Sequence, residues 1–126
     1  MIEKELTLLE GKFSVCKLTP NEPFPIPPSP TDLWSLSITP NEISLVCPES
    51  DAPDFAKVEA GWRVLMVKGQ LGFSLTGILA ELSGLLANAG IPIFVISTFD
   101  TDYLLLKEEM IEKAQQTLKN EWTISF

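Results

Sequence analysis

Apolar residues recur at three- and four-residue steps most clearly near the middle of the chain. Leu75, Ile78, Leu79, Leu82, Leu85, Leu86 and Ala89 fall on one stripe, which predicts an amphipathic helix. Ser74 is placed to cap its start through a side-chain oxygen. Gly90 is placed to end it at the C′ position, and Pro92 prevents a restart. A second line on the same helix carries Gly77, Ala80, Gly84 and Ala87. A solvated face would normally carry Glu and Lys, so this one is expected to pack on another helix or sheet, in the other half of the chain or in a second subunit. A further amphipathic helix is expected over residues 107–119. Met110, Ile111, Ala114 and Leu118 face inward there, and Glu109 and Lys113 sit four apart on the wet side.

Strand patterns surround these helices. Residues 62–67 are rich in β-formers, and residues 91–98 are apolar on both faces, as in a strand covered on both sides or packed on a second domain. Residues 103–106 follow the turn at Asp100 and Thr101. Trp122, Ile124 and Phe126 alternate with Thr123 and Ser125 in a last, half-buried strand. The order is β-α-β-β-α-β, the split βαβ or ferredoxin-like arrangement.

The first half reads as a worn copy of the same plan. Strands are expected over 7–9 and 13–18, and a hairpin over 34–39 and 43–47 across Pro40, Asn41 and Glu42. Pro20, Pro23, Pro25, Pro27, Pro28 and Pro30 occupy the place of a first helix, and such a density of prolines forces an extended loop. Phe24, Ile26 and Leu33 could pin that loop to a surface. Residues 37–46 lie over residues 97–106 at an offset of 60, each an apolar strand, a polar turn ending in an acid, and an apolar strand. The expected architecture is therefore α+β, with two tandem ferredoxin-like (βαββαβ) units. Residues 1–60 form a degenerate N-terminal unit with a Pro-rich loop for its first helix, and residues 61–126 a complete C-terminal unit.

Composition narrows the function. The chain has 126 residues, 45% hydrophobic and 21% charged, the balance of a soluble globular protein. No apolar run is long enough to cross a membrane, and the charged start has no signal-peptide pattern. Nine scattered basic residues and a net charge of −8 make nucleic acid an unexpected partner. There is no histidine, which excludes Ser-His-Asp and Cys-His chemistry and leaves too few ligands for zinc. No phosphate loop or nucleophile motif is present either, so neither an enzyme nor a cofactor or metal site is expected. Cys16 and Cys47 fit buried free thiols in a reducing cytoplasm, and a disulfide is geometrically open to them if their strands are neighbours.

The region around the first helix has chemistry suited to a small zwitterion. Backbone N–H groups at the start of the helix, reached past Gly72, form an anion site fit for an α-carboxylate. Asp102 could accept hydrogen bonds from an α-ammonium, and the hydroxyls of Ser97 and Thr98 could fix orientation. The bland readings stand beside these. Asp102 can simply end a hairpin, Gly72 can be only a turn glycine, Thr98 can be an ordinary strand-end residue, and Phe99 reads as core or as an aromatic at a pocket rim.

Residues 71–79, 89–92 and 96–103 together resemble the small ACT proteins related to the regulatory domains of aspartate kinase. They also resemble the ACT repeats of the cytosolic arginine sensors of animals, the CASTOR family. Residues 8–13 and 45–49 are similar to short bacterial members of that group. The resemblance implies a cytoplasmic regulatory protein that binds a free amino acid at an interface between ACT units, with a homodimer through those units as one arrangement. The contacts it implies are Gly72, Phe73, Ser74, Thr98, Phe99 and Asp102. The animal sensors carry acidic residues just after their Gly-Phe, where this chain has Ser74 and Leu75, so arginine itself does not carry over. The alternative is a ligand-free module that serves only for oligomerisation or docking.

Overall fold

A computed structural model describes residues 4–22, 33–68 and 77–126. The expected Pro-rich loop over residues 23–32, including Phe24 and Ile26, lies outside them, although Leu33 at its end is buried. The strands are β1 (Glu5–Leu8), β2 (Phe13–Leu18), β3 (Ser35–Ile38), β4 (Ile43–Pro48), β5 (Lys57–Val67), β6 (Phe94–Ser97), β7 (Asp102–Lys107) and β8 (Thr123–Ser125). The helices are α1 (Ile78–Asn88) and α2 (Ile111–Leu118). The chain divides into two compact units. The larger holds Met1–Glu10 and Arg63–Phe126, and the smaller holds Gly11–Trp62.

In the larger unit, β7 lies between β5 and β6, and β1 pairs with β5 on its other side. Helices α1 and α2 join one core with the sheet. Leu82 and Leu86 of α1 and Ala114 and Leu118 of α2 meet Leu6, Leu8, Leu65, Val67, Leu104 and Leu106. Burying each such leucine is worth about 1.5–3 kcal/mol. The end of α1 forms as its sequence predicts. Gly90 takes φ +75°, its N–H donates to Ala87 O at 2.9 Å, and the Ile91 N–H donates to Leu86 O at 3.0 Å. Those two bonds satisfy carbonyls that the helix end would otherwise leave open.

Several local expectations are corrected. Helix α1 starts at Ile78, with Gly77 at φ +88° before it, so Ser74 is not the residue flanking the helix. An added Cβ on Gly84 would meet nothing within 4 Å, so no described residue packs on the small-residue line at that point. Strand β6 is only half-buried and pairs with β7 alone among the described residues, because it is an edge strand rather than one covered on both sides. Strand β5 begins at Lys57, well before the expected start at Trp62. Its first four residues are all exposed, although Val58 and Ala60 alternate with Lys57 and Glu59.

Strand β1 has an unexpected place. The split βαβ plan sets the fourth strand beside the first. Here β1 takes that slot, antiparallel to β5 with Leu6 opposite Val67, although its sequence position suggests the first half. Strand β8 then adds outside it, parallel, with Leu6 opposite Ile124.

The smaller unit has the strand order β3-β4-β2-β5, using the first part of β5. Cys16, Leu18, Ile43, Leu45 and Cys47 form its core, with Trp34, Leu36, Ala52 and Ala56 against them. Cys16 and Cys47 are buried free thiols in one core. Burial raises both, and with the neighbouring Cys16 charge it pushes Cys47 up to about 12. Two steps along β2, from Phe13 to Val15, match three along β5, from Trp62 to Glu59. The extra residue makes a β-bulge at Gly61, which takes φ +85°, and its N–H donates to Glu49 Oε2 at 2.7 Å.

The two units share one local scheme. Strands β3 and β4 and the 3₁₀ turn Glu49–Asp51 match β6, β7 and the 3₁₀ turn Glu108–Met110 at a constant offset of 59. The register read from sequence at 60 is one residue too long.

Candidate ligand site at the β6–β7 turn

The turn after β6 is closed by one threonine. The Thr98 N–H donates to Thr101 O at 2.8 Å, the Thr98 hydroxyl donates to the same carbonyl at 3.1 Å, and the Thr101 N–H donates back to Thr98 Oγ1 at 3.3 Å. Such side-chain bonds are why Thr suits a strand end that must reverse. They also occupy the Thr98 hydroxyl. Phe99, at the tip, is 77% exposed, which overturns its core reading.

Asp102 opens β7 directly opposite Ser97, and Ser97 Oγ donates to Asp102 Oδ1 at 2.5 Å. One carboxylate oxygen is thus oriented by the strand pair, and the other is left to accept from elsewhere. The turn is anchored to β5, since Thr101 Oγ1 donates to Val67 O at 2.7 Å. Val67 is the last residue of β5, so the turn sits beside the point where the chain leaves for residues 69–76. Gly72, Phe73 and Ser74 belong to that segment and lie outside the described residues.

Charges frame the same end of the larger unit. Lys68 Nζ pairs with Glu5 Oε2 at 3.1 Å, and Lys4 Nζ pairs with Glu81 Oε1, in the first turn of α1, at 2.7 Å. The hydrogen bond to Glu81 holds the Lys4 ammonium above its usual value. Sequence reasoning singled out Asp102, Ser97 and Thr98, which the structure brings together at this turn, and it did not foresee these lysines or the anchoring bond of Thr101. No periodicity signals a hydroxyl that reaches a strand 34 residues away. Among the described residues, no group of three or more His, Cys, Asp or Glu side chains is arranged to hold a metal ion. None of the described helices is long and apolar enough to cross a membrane.

A five-stranded sheet with two helices on one core, and a polar turn at the strand ends, defines a ferredoxin-like α/β fold. The family model of the ACT domain matches residues 57–120, and the chain belongs to the ACT domain family. An Agrobacterium tumefaciens protein solved by X-ray crystallography is 30% identical with a TM-score of 0.87, and the match covers 98% of this chain and 93% of that one. The human cytosolic arginine sensor for mTORC1 subunit 1 is 41% identical over 59 residues, 46% of this chain. The match spans 18% of the sensor's own length. The regulatory subunit of aspartate kinase from Thermus thermophilus shares the fold, with a TM-score of 0.57 at 11% identity over 91% of this chain and 95% of that one.

Proposed function

We propose that this chain is a regulatory ACT protein that binds a free amino acid at the β6–β7 end of its larger unit and is not itself an enzyme. The observation that carries the reading is the Thr101–Val67 bond at 2.7 Å, which holds the Asp102 turn against the exit of β5. Asp102 accepts from the ligand's α-ammonium through its second oxygen. The N–H groups that lead into α1 receive the α-carboxylate, as helix N-termini do. Gly72 lets the backbone approach, Phe73 and Phe99 wall the ligand's side chain, and Ser74 and Thr98 border it. The homodimer that the family implies would bring a second chain's ACT unit to complete the site. The names of the relatives, an arginine sensor and an aspartate kinase regulatory subunit, support the class of ligand.

Residues 1–60 and 61–126 are, in this reading, two copies of one ACT unit, the first degenerate with a Pro-rich stretch in the sequence place of its first helix. The constant offset of 59 across two strands and a 3₁₀ turn supports that duplication. The buried, reduced thiols support a cytoplasmic setting.

A melting screen against the twenty amino acids tests the binding. A site of this kind binds in the range of about micromolar to millimolar. A ligand at 100 times its Kd stabilises by about 2.7 kcal/mol. One or a few amino acids should raise the Tm, and Asp102→Ala should abolish the rise. A flat response of the unmodified protein to all twenty would end the reading. It would favour a ligand-free interaction module, which the internally satisfied hydroxyls of Ser97 and Thr98 also suit.

A further inference from the structure

A second concavity lies in the larger unit, between α2 and β8. The chain reverses sharply after α2, where the Trp122 N–H donates to Leu118 O at 2.8 Å, and β8 then runs back beside the helix. Gln115 and Lys119, one helical turn apart, form one wall, and Trp122, Ile124 and Phe126, on one face of the alternating strand, form the other. The cavity holds about 230 Å³ and opens to the surface. That is about seven waters' worth of liquid, enough for one ring and a short polar arm.

Its chemistry is one-sided. Phe126 is 86% exposed, so a large ring is held out in water as a wall. Trp122 is buried, and its indole N–H finds no acceptor among the described residues. Lys119 Nζ bonds only the neutral Gln116 Oε1, at 3.0 Å, among the described residues. All the polar side-chain groups lining the cavity can donate, and none of them is a carboxylate. A ligand's ammonium would sit beside the like charge of Lys119, whereas a carboxylate would find an ammonium and an amide on the same ridge.

We propose that this groove binds a small aromatic monocarboxylate, its ring between Phe126, Ile124 and Trp122 and its carboxylate at Lys119 and Gln115. The site is separate from the amino-acid site proposed above and selects against the zwitterion that the other accepts.

The test is a titration of the full chain with phenylacetate, followed by ¹H–¹⁵N NMR, with phenylalanine and benzyl alcohol as comparators. Phenylacetate should move the Trp122 indole resonance and the amides of Gln115 and Lys119 in a dose-dependent way, and both comparators should bind more weakly. Lys119→Met should weaken phenylacetate about tenfold and leave benzyl alcohol unchanged. Phe126→Ala should weaken both, and because Lys119 and Phe126 are exposed, neither change threatens folding. Asp102→Ala should leave the phenylacetate curve untouched, which separates this site from the amino-acid reading. No shift at the lining residues, shifts that map instead to residues 97–102, or an unchanged affinity in Lys119→Met would each overturn the proposal.

Discussion

At equivalent places in the two units, Ile38 faces Ile43 and Ser97 faces Asp102. The turns beyond these pairs are built alike. Thr39 closes the first, with its N–H donating to Glu42 O at 2.9 Å and the Glu42 N–H returning to Thr39 Oγ1 at 3.1 Å, just as Thr98 closes the second. One scaffold therefore carries opposite chemistry at its last cross-strand pair. Ile43 is part of the smaller unit's core, whereas Asp102 is half-buried at the end of a strand and bonded to a hydroxyl. The turn is structural in both units, and the residue just after it serves packing in one and, in the function proposed above, recognition in the other.

Placing the larger unit's acid at the smaller unit's position should give the largest effect. Ile43→Asp places a carboxylate in the thiol-lined core, and a destabilisation of about 4 kcal/mol or more is expected from urea melts. A loss below 1 kcal/mol would mean that the pair is not the core element described. Leu6→Ala should cost about 2–5 kcal/mol. It should also lift amide-exchange protection in β8 and the 63–67 part of β5 before β2. Loss of protection in β2 first would place β1's energetic role in the smaller unit instead.

The thiols separate the units by pH. Cys16 and Cys47 are protonated in the fold above their ordinary value of 9.0, Cys47 to about 12, while in the unfolded chain they ionise from about 9. The unfolded state then binds fewer protons, so the stability they contribute is full below pH 9 and is lost as pH rises toward 12. For Cys47 the slope approaches about 1.4 kcal/mol per pH unit within that window, and Cys16 adds to it in the same direction. The Cys16→Ala, Cys47→Ala double variant should lack that slope in denaturant melts, and an unchanged slope would refute the assignment. Smallest of all, Asp102→Ile should shift stability by no more than about 0.5 kcal/mol, since the position is near the surface. The same variant should erase any amino-acid-induced rise in Tm. A large loss of stability would make Asp102 a structural residue.

Local chemistry was legible before the coordinates. The stripe from Ile78 to Ala89, the glycine stop at Gly90, and both hairpins follow from periodicity and turn residues, because such elements depend on neighbours in sequence. Strand β1 shows the limit. Its own alternation says strand, but nothing in it says that β5 and β8 will be its partners. Residues 57–60 alternate polar and apolar side chains but are all exposed, and they form strand through pairing with β2. In the site, Asp102 was legible as an acid at a bend, while Phe99 misled because an aromatic after an apolar strand resembles core and is in fact the turn's exposed tip.

The place of β1 has a consequence for how the molecule is made. Thr7 and Ser125 stand within 3.5 Å, yet 118 residues separate them. On a ribosome, β1 must wait for the 118 residues that separate Thr7 from Ser125 before β8 exists to cover its open edge. At about 5–20 residues per second that interval lasts several seconds, during which a nascent chain carries an apolar strand without its outer neighbour. Gly11–Trp62, complete well before then, can assemble first, so vectorial synthesis favours a smaller unit that is already formed when the last strand arrives.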